Sequence, residues 1–180
     1  KMSDIGVRHP VTQGLGGVTR SDITPDWGRW FRHIDLDPAA TTGDVIMTGA
    51  DERPLLVLDR VGGGRVAVLA SDHAWLWTRG VEGGGPQLEL LRRLAHWMMK
   101  EPELEEESLS ARATGNEITV TRRSLTETPR DVIVTAPDGT QTRVEMTQTR
   151  PGLFQAEVTG QDIGLYRLRE GDQNAVVVLG

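Results

Sequence analysis

The chain of 180 residues has no cysteine, two lysines, one tyrosine and two phenylalanines. Without cysteine there is no disulfide, no thiolate metal site and no cysteine nucleophile. The scarcity of lysine, with a formal net charge of −6, argues against a nucleic-acid footprint, because neutralising phosphates needs a clustered Lys/Arg face and the arginines here are scattered among acids. No apolar stretch approaches the roughly 20 residues of a membrane span, and the start carries no signal-peptide pattern. Opening on Lys1-Met2-Ser3, with Ile5-Gly6-Val7 directly behind, reads as a start inside a longer protein.

What the chain does contain is unevenly distributed. All five tryptophans lie in the first 100 residues, and the remainder is a series of short β-type runs separated by Gly, Pro, Asn and Asp. The split predicts two small domains, 1–103 and 104–180, each able to bury a modest core.

In the first part, the chain is expected to be extended before Pro10 and to turn through the glycines of 13–17. Phe31 to Leu36 and Asp44 to Thr48 read as strands. Pro54 to Val61 and Arg65 to Ala70, joined across Gly62-Gly63-Gly64, read as a hairpin. A helix of about 15 residues is predicted from Pro86 to near Lys100. Its apolar stripe is Leu88, Leu91, Ala95 and Met98, widened by Leu90, Leu94 and Trp97, so that one broad face is expected to be buried. Glu103, Glu105, Glu106 and Glu107 read as a solvated spacer, since like charges extend a chain.

Beyond it, strands are predicted at 109–113, 117–122, 131–135, 143–147, 153–158, 165–168 and 175–179, the spacing of a β-sandwich. Asp162-Ile163-Gly164-Leu165-Tyr166 matches the Asp-x-Gly-x-Tyr pattern of a tyrosine corner, in which a buried phenol ties a strand to the loop before it.

Candidate chemistry is sparse. Ser71-Asp72-His73 places a hydroxyl, a carboxylate and an imidazole just after a buried strand, so His73 and Asp72 are the catalytic candidates. Adjacency favours a structural or turn-capping role, because neighbours on an extended segment point to opposite faces and a Ser-His-Asp relay is assembled from separate segments. His9, His33 and His96 have no metal-ligand spacing to one another or to His73, and no metal or cofactor is expected. Trp27, Trp30, Trp75 and Trp77 could form an aromatic platform for a sugar or another partner. If Trp75 and Trp77 lie on one extended segment their rings share a side, and packing is the simpler use for them. The two triglycine runs lack GxGxxG or Walker patterns and read as turns.

Several motifs together resemble one family: His9-Pro10-Val11-Thr12-Gln13-Gly14-Leu15, the Pro54 to Asp72 hairpin region with its Gly-Arg-Val strand, Trp75-Leu76-Trp77, and the helix containing Leu91-Arg92-Arg93-Leu94. The pattern is similar to bacterial membrane proteins whose extracytoplasmic region carries a class I glutamine amidotransferase-like domain. The resemblance covers most of 9–107. It implies an α/β fold, the C-terminal part of a flavodoxin-like amidotransferase domain, followed by an immunoglobulin-like β-sandwich. It further implies an inner-membrane-associated protein of the bacterial envelope, anchored by segments outside this chain, with the soluble part in the periplasm.

Amidotransferases of this superfamily use a Cys nucleophile with His and Glu partners, and this chain has no Cys. The expected role is therefore structural or partner-binding, the partner being another protein or the rest of the parent chain. The alternatives are a hydrolase or amidotransferase whose nucleophile lies upstream, with His73 as base and Asp72 or Asp51 as orienter, and a carbohydrate-binding module using the tryptophans.

Overall fold

The run Pro54-Leu55-Leu56-Val57-Leu58 is apolar at every position, and a strand with that composition must be covered on both faces. In the computed structural model, which describes all residues from 1 to 180, this run begins the strand Pro54–Val61 and all five residues are buried. The chain divides into two units, Lys1–Glu105 and Glu106–Gly180.

The first unit is built on a three-stranded antiparallel sheet in the order β1-β2-β3, with β1 at Asp44–Thr48, β2 at Pro54–Val61 and β3 at Gly64–Leu69. Val61 pairs with Gly64, so Gly62-Gly63 forms the two-residue hairpin turn expected from the glycine run. On β3 the inward residues Ala67 and Leu69 register with Leu58 and Leu56. The longest helix, α3 at Gln87–Met98, packs on this sheet and contributes Leu90, Leu94 and Trp97 to the core. Arg65 holds the end of α3: its guanidinium lies 5.1 Å from the Trp97 ring centroid and donates to the Trp97 carbonyl at 2.6 Å. The sheet is antiparallel throughout, so what unit 1 shares with a layered α/β arrangement is one helix on one sheet.

Three local expectations are corrected. Asp4–Arg8 is a turn of helix, α1, because the Ser3 hydroxyl caps it by accepting from the Gly6 N–H at 2.9 Å; the extended backbone forced by Pro10 is confined to His9. Phe31 to Leu36 forms no strand; the Ile34 N–H donates to the Ala70 carbonyl at 2.8 Å, and Phe31 and Ile34 are exposed. Trp75–Thr78 is a short helix, α2, and not an extended segment.

The helix α3 forms where expected but does not bury its whole apolar arc. At about 100° per residue, Leu90, Leu94 and Trp97 centre on one direction and Leu88, Leu91, Ala95 and Met98 on another roughly 110° away. The sheet covers the first set. The second faces outward, with Leu88 at 79%, Leu91 at 44% and Met98 at 45% exposure.

The second unit is a β-sandwich of two four-stranded antiparallel sheets, ordered β11-β10-β6-β7 and β4-β5-β9-β8. The strands are β4 (Ser108–Thr114), β5 (Glu117–Arg123), β6 (Val132–Thr135), β7 (Gln141–Val144), β8 (Thr147–Arg150), β9 (Leu153–Thr159), β10 (Gly164–Glu170) and β11 (Gln173–Leu179). Ile118 and Val120 of one sheet and Val132, Val134, Tyr166 and Leu168 of the other share its core. The single strand expected over 143–147 is two: β7 pairs with β6, then the chain changes sheet across Glu145-Met146 and β8 pairs with β9. Tyr166 forms the expected corner, its phenol donating to the Asp162 carbonyl at 2.9 Å and accepting from the Asp162 N–H at 3.2 Å.

The glutamates of 105–107 are not a free spacer. Glu105 pairs with Arg60 and Arg65 in unit 1, Glu106 is buried, and Glu107 accepts from Arg122, Ser124 and Leu125 in unit 2.

Candidate binding site

The most built-up feature of unit 1 is a tryptophan nest. Trp77 is boxed in: its Nε1 donates to the Gly28 carbonyl at 2.7 Å, and the Gly28 N–H donates to the Gly84 carbonyl at 2.7 Å. Gly85 lies so close that an added Cβ would fall inside the Trp77 indole, so only glycine fits there. Trp27 meets Trp77 edge-on at 5.6 Å between centroids and 67°, and Trp30 meets it at 4.5 Å and 52°, both within the distances and tilts that aromatic pairs prefer.

The loop carrying Trp27 and Trp30 is tethered to the turn after α2 by Arg29. Its guanidinium makes a two-pronged contact with Glu82, at 2.6 and 3.0 Å, and its backbone N–H donates to the same carboxylate at 3.1 Å. These hydrogen bonds hold the Glu82 carboxyl well below its ordinary value, at about 2. Glu82 reaches this position with φ at +51°, a left-handed conformation unfavourable for a residue with a Cβ, which the clamp and the Gly80–Gly84 turn around it over-determine.

Between this nest and the end of β1 lies a cavity of about 280 Å³. Its lining includes Trp27, Trp30 and Trp77 from the nest, Met47, Thr48 and Gly49 at the end of β1, and Lys1. Thr48 is 8% exposed, and its hydroxyl is buried without a hydrogen-bond partner. Its backbone is satisfied, the N–H donating to the Lys1 carbonyl at 2.9 Å and the carbonyl accepting at 2.7 Å from the Lys1 nitrogen, so the side chain alone is left over.

Of the four tryptophans singled out from the sequence, three converge here and Trp75 does not. On the helix α2, residues two apart point in nearly opposite directions, so Trp77 is 4% exposed and Trp75 51%. The shared side expected for an extended segment is corrected accordingly. Neither ring paired with Trp77 is coplanar with it, and Trp77 itself is buried, which is unlike a flat sugar-stacking platform. The cavity was not legible in the sequence; its one signal was the recurrence of Trp and Gly on both the 27–30 and 75–85 segments.

His73 lies elsewhere in unit 1, half-buried, with Nε2 3.7 Å from the Asp72 carboxylate, longer than a hydrogen bond. Asp72 is paired with Arg32 at 3.1 Å, and Ser71 accepts from the backbone N–H of His73 at 3.3 Å, so hydroxyl and carboxylate are engaged in shaping the turn. Nδ1 of His73 is buried without a partner. The other histidines are separate: His9 is buried edge-on to Trp97, His33 contacts the Pro54 carbonyl at 2.9 Å, and His96 contacts Glu101 at 2.6 Å. Asp51 and Glu52 sit in the turn between β1 and β2, both with positive φ. No helix is long and apolar enough to cross a membrane.

Comparison of the chain with family models, with curated proteins and with solved structures finds no match.

Proposed function

We propose that this chain is a non-catalytic, partner-binding region of a membrane-anchored bacterial envelope protein, on the periplasmic side, and that it engages its partner through the outward apolar face of α3. Leu88, Leu91, Ala95 and Met98 carry the reading: an exposed stripe at helical spacing, beside a second stripe that already serves the core, is the pattern of a helix meant to be covered on two sides. The occupant is the remainder of an amidotransferase-like domain in the parent protein. Two features support this choice: the motif resemblance over 9–107, and the helix-on-one-sheet arrangement of unit 1, which has an apolar helix face to offer a further layer. In this reading unit 2 is an immunoglobulin-like sandwich, a reading supported by the Tyr166 corner.

The absence of Cys and the engagement of Ser71 and Asp72 in the turn at His73 favour a scaffold over a self-sufficient catalyst. The test is the double variant Leu91→Glu/Met98→Glu. It should fold as the parent chain does, by unchanged far-ultraviolet circular dichroism, and bind the separately produced remainder of the parent protein at least about tenfold more weakly, since two carboxylates in a desolvated contact cost well over 1.4 kcal/mol. Unchanged association by a folded double variant would refute the α3 reading.

A further inference from the structure

We infer that the free edge of β3 is a strand-docking surface, where an extended, largely apolar segment of the parent protein outside this chain joins the sheet as a fourth strand. The inference rests on the reading that the remainder of the parent protein covers α3, and it names the element that makes the contact.

The backbone of β3 sets the chemistry. Val61 pairs with Gly64 across the hairpin turn, and the Ala70 N–H donates to the Leu55 carbonyl at 2.7 Å. Hydrogen bonding alternates along an antiparallel pair, so Gly64, Val66 and Val68 turn their N–H and C=O groups toward β2, while Arg65, Ala67 and Leu69 turn theirs away. No group of the chain bonds to the outward backbone of Ala67 or Leu69. Donors and acceptors repeating at every second residue are complementary to another extended backbone.

The opposite edge of the same sheet is closed. Met2 bridges to Met47 of β1, the Ser3 N–H donates to the Ile46 carbonyl at 3.0 Å, and the Thr48 N–H donates to the Lys1 carbonyl at 2.9 Å. The β3 edge has none of the devices that keep a bare strand from pairing: its register with β2 is unbroken by a bulge, and it contains no Pro or Lys. Its one charge, Arg65, is turned inward onto Trp97 and Glu105, with 2% of the side chain exposed.

Apolar side chains flank the edge on both faces. On the face away from α3, Val66 and Val68 are exposed. On the other face α3 packs over β3, while α1 packs against β1 at the far side of the sheet. Arg93 marks the flank of α3 turned toward the loop after α1, donating to the Gln13 carbonyl at 2.7 Å. Leu91 and Met98 lie about 150° around the helix from Arg93, on the flank beyond β3, where they overhang the free edge. A strand docked there is met by apolar side chains above and below, which calls for an apolar segment of the kind buried on both faces.

Amide hydrogen exchange resolved to single residues, measured on this chain alone and on the whole parent protein, is the test. In the chain alone Val66 and Val68 should exchange slowly and Ala67 and Leu69 quickly. In the parent protein Ala67 and Leu69 should slow by at least about tenfold, because the added strand takes up their N–H groups. Ala67→Pro removes one outward N–H without touching a bond to β2. Introduced into the parent protein, it should leave Val68 slow and return Leu69 to the rate it has in the chain alone. Unchanged exchange at Ala67 and Leu69 in the parent protein would overturn strand docking, even where Leu91→Glu/Met98→Glu weakens association and the α3 reading stands. A Leu69 amide that stays slow in folded Ala67→Pro would overturn it equally. Slow exchange at both residues in the chain alone, deepening with its concentration, would assign the edge to a second copy and overturn the parent segment as occupant. Slowing confined to the parent protein, with association indifferent to Leu91→Glu/Met98→Glu, would support the strand and sink the α3 reading.

Discussion

Trp77 donates its indole N–H to the backbone carbonyl of Gly28 at 2.7 Å, joining α2 to a loop 49 positions earlier in the chain. Trp75, two residues before it, is half exposed. The same residue type therefore carries different weight at the two positions. Trp77→Phe keeps the ring's apolar bulk but leaves the Gly28 carbonyl without this donor, and should lower stability by about 1–3 kcal/mol. Trp75→Phe should change it by no more than about 0.5 kcal/mol. Urea unfolding followed by circular dichroism separates the two, and equal effects would mean that the indole bond does not hold the loop.

The Arg29–Glu82 clamp is pH-dependent. The folded-state carboxyl of Glu82 is held at about 2, below its ordinary 4.5, so its contribution is fully present above pH 4.5 and is lost as pH falls toward 2. Both side chains meet solvent, so the contribution is modest and screened by salt. Tryptophan emission from the 27–30 loop should shift to longer wavelength between pH 4.5 and 2 in the parent chain. The clamp-specific part of that shift should be absent in Glu82→Gln, which lacks the titrating carboxyl. Identical profiles would show that the clamp does not position the loop.

In unit 2 the buried guanidinium of Arg122 lies between two carboxylates, Glu170 at 3.0 Å and Glu107 at 2.5 Å. Glu170, itself buried, also accepts from the Arg130 N–H at 3.3 Å. Arg122→Ala strands Glu170 in the sandwich and should cost about 3–5 kcal/mol, whereas replacing a buried pair by apolar residues of similar volume is often neutral. Arg122→Met/Glu170→Met should therefore recover much of the loss. A double variant no more stable than Arg122→Ala would contradict this account of the pair.

The β-rich character of the chain was legible because alternation and glycine turns are local signals: β1 and β2 match the ranges read from the sequence, and the sandwich strands differ mainly at their ends. The tyrosine corner was legible for the same reason, since Asp162 and Tyr166 are four residues apart. What failed was decided at a distance. Nothing in Trp75-Leu76-Trp77 says that the segment winds into a helix under Gly28, and nothing in Arg143 to Thr147 says that the chain leaves one sheet for the other. The glutamates of 105–107 read as solvated because their partners Arg60, Arg65 and Arg122 are remote in sequence. The apolar arc of α3 was visible, but periodicity gives its width and not how much of it one sheet can cover.

The turn around His73 provides a check on the non-catalytic reading. Ammonia release from glutamine and hydrolysis of an activated ester by the purified chain should both stay at the buffer rate, with His73→Ala indistinguishable from the parent. Turnover that His73→Ala abolishes would establish an active centre in this chain.

The outward face of α3 is where the functional reading is most exposed to measurement. Urea unfolding of Leu91→Glu and Leu94→Glu compares the two apolar faces of one helix with the same chemical change. Leu94 is buried against the sheet and its replacement by a carboxylate should cost several kcal/mol, on the order of a buried unpaired charge; Leu91→Glu should cost no more than about 0.5 kcal/mol. Equal, large losses at both positions would mean that the second face is already packed within the chain and is not available to a partner.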